Sequence, residues 1–380
     1  MKIGILTQPL HNNYGGLLQN YALQQVIKGR GHEVETLDWN AKYSKLRTCL
    51  SEGKQILLHF VNKQVEVSRY NPTNAELDII SQHTRKFIER HLTLCPEKAE
   101  LHKELREIVN RRQYDAIVVG SDQVWRPSYN PWLSAMFLDF TEGMIVKRVA
   151  YAASFGTSVW EFTPAMTKKC ARLINKFNFV TVREKSGVNL CRDNLGVTPT
   201  HVLDPTLLLN KEDYISLVKE DQEPVSEGTL FYYILDPNDE KNALINAVAT
   251  KMGVKPFTIM PRCQAENRTK WDVKNRIEDC VFPGVTKWLR GFMDAEMVIV
   301  DSFHGAVFSI IFNKPFWVLA NAKRGNARFD SLLEMFGLED RMIAIGECVD
   351  WSAPIAWDRV NEIRKSYAQR DIELLLNTLS

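Results

Sequence analysis

Short apolar runs recur along the chain, each closed by a polar or glycine-bearing break. The first, KIGILT at residues 2–7, has the length and continuity of a strand buried in a parallel sheet. Next, HNNYGGLLQNYALQQVIKGRGHEVETLDW predicts a glycine turn, then a helix with Leu17, Leu18, Tyr21 and Val26 on one face. A second strand follows Gly31, completing a β-α-β unit. Residues 41–112 are less regular and read as mostly helical. YDAIVVGSDQVW, 114–125, returns to a strand whose polar end follows Gly120. Further strands are expected at 147–153 and 178–183, and HVLDPTLLL, 201–209, reads as a strand leaving this half.

The second half restarts the alternation. GTLFYYIL (228–235), KPFTIM (255–260), EMVIVDS (296–302) and KPFWVLA (314–320) read as strands. Helices are expected at 238–252, at 284–295 around Trp288, Leu289 and Phe292, at 305–313, and at 355–379. Two open α/β sheets in tandem fit this pattern. The expected architecture is an N-terminal Rossmann-like domain over 1–208, a C-terminal one over 209–352 and a closing helix over 353–380.

Composition narrows the class. At 380 residues the chain is longer than one core usually supports, which agrees with two domains. A net charge of +2 offers no general attraction to nucleic acid. The seven cysteines are odd in number and contain no CxxC pair, so neither a disulfide framework nor a structural zinc is expected. Reduced thiols and a start that enters a strand directly point to a cytoplasmic protein. No apolar run approaches the roughly 20 residues of a membrane helix. No D-x-D occurs and His and Cys show no metal-ligand spacing, so neither a metal nor a cofactor is expected.

Candidate chemistry sits where strands end, since open α/β sheets bind ligands outside the carboxyl ends of their strands. Asp301, Ser302, His304 and Gly305 interrupt the most apolar region of the chain at such a point. The helix that follows offers free N–H groups and a favourable dipole to an anion. A bound anion favours the imidazolium form of His304, and Gly305 would let the backbone approach it. A plain helix cap, with His304 incidental, fits the local pattern as well. Asn12, Asn13, Gly15 and Gly16 make a second polar strand end suited to sugar hydroxyls or phosphate, or simply a softened turn. At a third, Asp122 is a candidate base and Trp125 a sugar-stacking face; their plain alternatives are a cap and core packing. Arg183 ends the strand FVTVR, and Lys323, Arg324 and Arg328 follow KPFWVLA, placing planar donors near the expected cleft.

In order along the chain, NNYGGLLQNYALQ, VGSDQVW, YAASFG, VREKSG, LDPTLLL and DSFHGAVFSIIFNKPF resemble motifs of the polysaccharide pyruvyl transferase family, over about residues 10–335. The resemblance implies a fold like that of GT-B glycosyltransferases and transfer of pyruvate from phosphoenolpyruvate to a sugar as a ketal. It implies that Arg183 and His304 contact phosphoenolpyruvate, which is a substrate and not a cofactor. Many members carry an arginine two residues before that histidine; here the position is Ser302. Arg324 or Arg328 is expected to make up the missing charge. In this scheme His304 protonates the methylene carbon, Asp122 assists the attacking hydroxyl, and Arg183 steadies the departing phosphate. Fold analogy puts the acceptor on Asn12, Asn13, Gly15, Gly16 and Trp125. The acceptor's carrier, lipid or nucleotide, stays open. So does contact of the basic and apolar segment 42–69 with an anionic membrane surface, against a solvated insertion. A GT-B glycosyltransferase, a sugar-nucleotide epimerase and a non-catalytic saccharide-binding relative are the alternatives.

Overall fold

Parallel strands covered by helices on both faces must be apolar throughout, and the short runs behave that way. A computed structural model describes residues 1–40, 72–263, 270–320 and 325–380. The basic segment 42–69 and Arg324 lie outside the described residues.

The first sheet has seven strands: β1 (Lys2–Leu6), β2 (Glu33–Trp39), β3 (Leu94–Ala99), β4 (Ala116–Val119), β5 (Lys147–Ala153), β6 (Phe179–Val182) and β7 (Thr200–His201). Its spatial order is β3-β2-β1-β4-β5-β6-β7, with every pair parallel. The second sheet is built from β8 (Leu230–Tyr233), β9 (Pro256–Phe257), β10 (Met297–Val300), β11 (Phe316–Leu319) and β12 (Met342–Ile343), in the order β12-β11-β10-β8-β9. It too is parallel throughout. Each sheet has one point where the winding reverses, between β1 and β4 and between β8 and β10. A crevice opens at such a switch, because the connections leave in opposite directions.

Several expectations are corrected, among them the strand over 255–260, which shrinks to Pro256–Phe257. β3 falls within the stretch read as mostly helical; Pro96 and two charges in LCPEKA hide it, as suits an edge strand. The expected strand at 201–209 shrinks to Thr200–His201, and Pro205–Leu208 is a 3-10 turn. Asp204 is the reason: its carboxylate accepts from the Thr206 N–H, and Pro205 takes the first helical position. Finally, β12 and the helix Lys211–Glu220 carry no strong periodic signal and were not anticipated.

The two sheets share one apolar core, with Leu17, Leu18, Tyr214, Trp288 and Phe308 in the same cluster. Tyr14, the first residue of the helix Tyr14–Lys28, has no exposed surface and stacks on Trp288 at 5.5 Å. Its hydroxyl donates to the Pro283 carbonyl at 2.9 Å. The closing helix, Trp357–Leu379, returns to the first sheet. Asp371 on it accepts from the Leu203 N–H at 2.7 Å, and Arg370 donates to the His201 carbonyl at 2.9 Å. Among the described residues, no helix is long and apolar enough to cross a membrane.

Candidate active site

A cavity of about 660 Å³ opens where the two switch points face each other. The loop after β1 and the first turn of the helix that follows bring Gln8, Asn12, Asn13 and Gly15 to its wall, and the loop after β4 brings Asp122 and Gln123. From the second sheet come Leu235 and Asp236 after β8, Ser302 and His304 after β10, and Arg328 after β11. Tyr233, Met260 and Phe282 add an apolar side.

Ser302 is the N-cap of the helix Phe303–Ile311, its hydroxyl accepting from the Gly305 N–H at 3.0 Å. Gly305 itself is turned away from the cavity. A Cβ there would lie 2.7 Å from Val300 Cγ1, so this glycine lets the helix pack on β10 rather than admitting a ligand. The glycine that permits a close approach is Gly15, whose Cβ would fall 2.0 Å from His304 Nδ1. Only a bare Cα lets the imidazole of the second domain rest against the first helix. Gly16 is not on the cavity wall; a Cβ there would meet Asn13. Asp301 caps no helix either. Its oxygens accept from the Leu235 and Asp236 N–H groups and from Lys241 Nζ at 2.6 Å, which holds the loop after β8.

Behind the cavity lies a buried ionic cluster. Arg183, with 1% of its side chain exposed, donates through Nη1 to Asp204 Oδ2 at 2.7 Å and through Nη2 to Asp122 Oδ1 at 3.3 Å. Its guanidinium covers the Phe303 ring at 4.3 Å. Arg183 is not part of the cavity wall, where the resemblance implies a phosphoenolpyruvate contact. Asp122 does line the cavity, held in a left-handed backbone (φ 71°) that aspartate tolerates better than most residues. Its second oxygen accepts from Asn13 Nδ2 at 3.2 Å. Burial opposes its ionisation, but Arg183, His304 and Arg328 outweigh burial and hold its carboxyl below the ordinary value. A carboxylate so held accepts hydrogen bonds and is a weaker base than an ordinary one.

Asp204, not anticipated as a site residue, binds the cluster together. Burial opposes its charge too, yet His304 and Arg183, with Thr206, hold it well below the usual carboxylate range. His304 Nε2 is 3.5 Å from its Oδ2. The sequence signal was LDPT, an aspartate before proline at a domain exit, legible only as a cap. Arg328 is the guanidinium of this group that lines the cavity. It is 9% exposed and its Nε is buried without a partner. Burial, with Arg183 second, pulls it down to about 10.

Trp125 is corrected outright. It is wholly buried, stacked on Phe137 at 4.9 Å, and its indole N–H donates to the Met136 carbonyl, so no sugar can reach its face. Asn12 lines the cavity, its side-chain oxygen accepting from the Thr84 hydroxyl at 2.7 Å. Gln8 and Gln123, also unanticipated, add amides to the same wall. Among the described residues no group of side chains is arranged to hold a metal ion.

Residues 13–323, from the Asn13 turn to just beyond β11, match the family described as polysaccharide pyruvyl transferase. The chain belongs to that family. A polysaccharide pyruvyl transferase is a transferase. No curated protein matches the chain. The UDP-GlcNAc 2-epimerase of Methanocaldococcus jannaschii, in complex with UDP-GlcNAc and UDP, is similar in structure at a TM-score of 0.51. It is 10% identical, with 100% of this chain and 99% of that one covered. The Neisseria meningitidis UDP-GlcNAc 2-epimerase bound to UDP-GlcNAc gives a TM-score of 0.50, 10% identity, and coverage of 100% and 99%. These likenesses bear on the fold, which is the GT-B-like pair of Rossmann-like domains that this family member was expected to have.

Proposed function

We propose that the enzyme transfers pyruvate from phosphoenolpyruvate to a sugar as a ketal, in the synthesis of a surface or exported polysaccharide. One observation carries the reading: Arg328 is a buried cation with an unpartnered donor on the cavity wall that His304 also lines. A buried guanidinium with an unpaired donor is costly, and a substrate that carries a carboxylate and a phosphate supplies an acceptor for it. Arg328 also stands in for the charge that Ser302 lacks. The start of the helix Tyr14–Lys28, with no acidic residue in its first turn and no side-chain cap, adds a favourable dipole.

In this reading His304 gives a proton to the methylene carbon, which makes the neighbouring carbon electrophilic. A sugar hydroxyl then adds, phosphate leaves, and a second hydroxyl closes the ketal. Asp122, with both oxygens engaged, orients a hydroxyl by accepting its hydrogen bond. The amides of Gln8, Asn12, Asn13 and Gln123 suit a neutral sugar, which offers donors and acceptors alike. Phosphoenolpyruvate serves as substrate in the cytoplasm, and no cofactor enters the scheme.

Calorimetry of phosphoenolpyruvate binding to wild type and Arg328→Ala tests this. Loss of tenfold or more in affinity is expected, since each charge-assisted contact contributes about 1.5–3 kcal/mol. Equal affinity in the two proteins, or turnover that demands a nucleotide-sugar donor, would sink the reading.

A further inference from the structure

We propose that Asp204 is the positioning residue of His304, holding Nε2–H so that Nδ1 is the nitrogen that exchanges protons with the substrate. The chemistry rests on the pyruvyl-transfer reading; the placement rests on geometry alone. His304 Nε2 is buried without a hydrogen-bond partner, and Asp204 Oδ2 lies 3.5 Å from it. Nδ1 sits on the other edge of the ring against Gly15, which forms part of the cavity wall. Asp204 is 1% exposed and does not line the cavity, so it acts through the imidazole and not on the substrate.

The carboxylate is itself held firmly. Oδ1 accepts from the Thr206 N–H at 3.0 Å and the Thr206 hydroxyl at 2.7 Å. The neighbouring Leu203 N–H is tied to Asp371 on the closing helix. Oδ2 is thereby aimed at Arg183 of the first domain and His304 of the second. A fixed acceptor at one ring nitrogen decides which nitrogen carries the proton in the neutral ring. A long contact of this kind is common before substrate closes a site.

The consequence is a histidine that works twice. The imidazolium passes its Nδ1 proton to the methylene carbon and keeps Nε2–H on Asp204. The bare Nδ1 then takes the proton of the first attacking hydroxyl as its C–O bond forms, which restores the imidazolium. In the second stage the carbon–oxygen bond to phosphate breaks with its electron pair going to phosphate. The second hydroxyl adds to that carbon, and its proton leaves with the phosphate. No separate base is required, which fits an Asp122 whose oxygens are both engaged.

Long-range proton–nitrogen spectra of the full chain labelled with ¹⁵N-histidine test the placement, with His304 assigned by its loss in His304→Gln. Neutral His304 in wild type is expected almost wholly as the Nε2–H tautomer; a dominant Nδ1–H form would overturn the proposal. In Asp204→Asn, Thr206 retains the amide oxygen and the amide NH₂ faces Nε2, so the tautomer should reverse to Nδ1–H. An unchanged tautomer in the folded variant would also overturn it, and if the variant fails to fold the wild-type spectrum still decides. In turnover, Asp204→Asn should lose about 10²-fold or more in kcat, with the KM for phosphoenolpyruvate moving less than about threefold. Equal kcat would refute the catalytic part. Absence of turnover in wild type would instead refute the function and leave the tautomer to judge the contact.

Discussion

At the residue scale, charge and steric fit assign the roles. Gly15 is needed for space and not for backbone freedom, since His304 occupies the place of its Cβ. Gly15→Ala should cost about 1–3 kcal/mol of stability, as overpacked positions do. It should cost activity far more, because the displaced ring is the proposed proton carrier. Kinetics alongside urea unfolding separate the two, and near-normal kcat would show that His304 need not sit there. Arg183 differs in kind. Its removal takes a hydrogen-bonded counter-charge from both Asp122 and Asp204, so Arg183→Ala should destabilise the fold by about 3–5 kcal/mol. Arg328, on the cavity wall and outside those ion pairs, is the cleaner probe of donor binding. FVTVRE and NAKRGNARF both advertise an arginine after a strand, and nothing local tells the one behind the cavity wall from the one on it.

At the scale of elements, the polar ends of strands carry the site. The helix Phe303–Ile311 begins at Ser302 by an ordinary hydroxyl cap, and His304 in its first turn lines the cavity. Asp301 ties β10 to the loop after β8 through Lys241. Lys241→Met would strand that carboxylate, with an expected loss of about 3–5 kcal/mol. Thermal unfolding checks it, and an unchanged midpoint would mean the loop is held by backbone contacts alone. Elements marked by apolar runs were legible, whereas β3, β12 and Pro205–Leu208 were not. An edge strand with one protected face, a two-residue strand and a capped turn bury too little to leave a pattern.

For the whole molecule, the two domains are joined by burial as well as by the chain. Tyr14 fills a box of Tyr233, Phe282 and Trp288. Acid should loosen the assembly at the same place. Asp122 and Asp204 have folded values below their unfolded ones. The unfolded chain therefore takes up protons first as pH falls. Their contribution is fully present above about pH 4 and is lost as pH falls through the lower folded values. Denaturant midpoints measured from pH 6 to pH 3 should drop for wild type. The drop should be shallower in a folded Asp204→Asn variant, and parallel slopes would refute this.

The sequence by itself determined the alternation of strands and helices, the two sheets, the family motifs and the strand ends where chemistry gathers. These are local consequences of apolar runs and the breaks between them. The tertiary structure alone decided which polar groups meet. It buried Trp125 in the core, set Arg183 behind the cavity wall and left Arg328 on it. It also brought Asp204, exiting one domain, to within 3.5 Å of His304 in the other. Partners a hundred residues apart in sequence leave no local signal, because a charge's environment is set by what the folded chain packs against it.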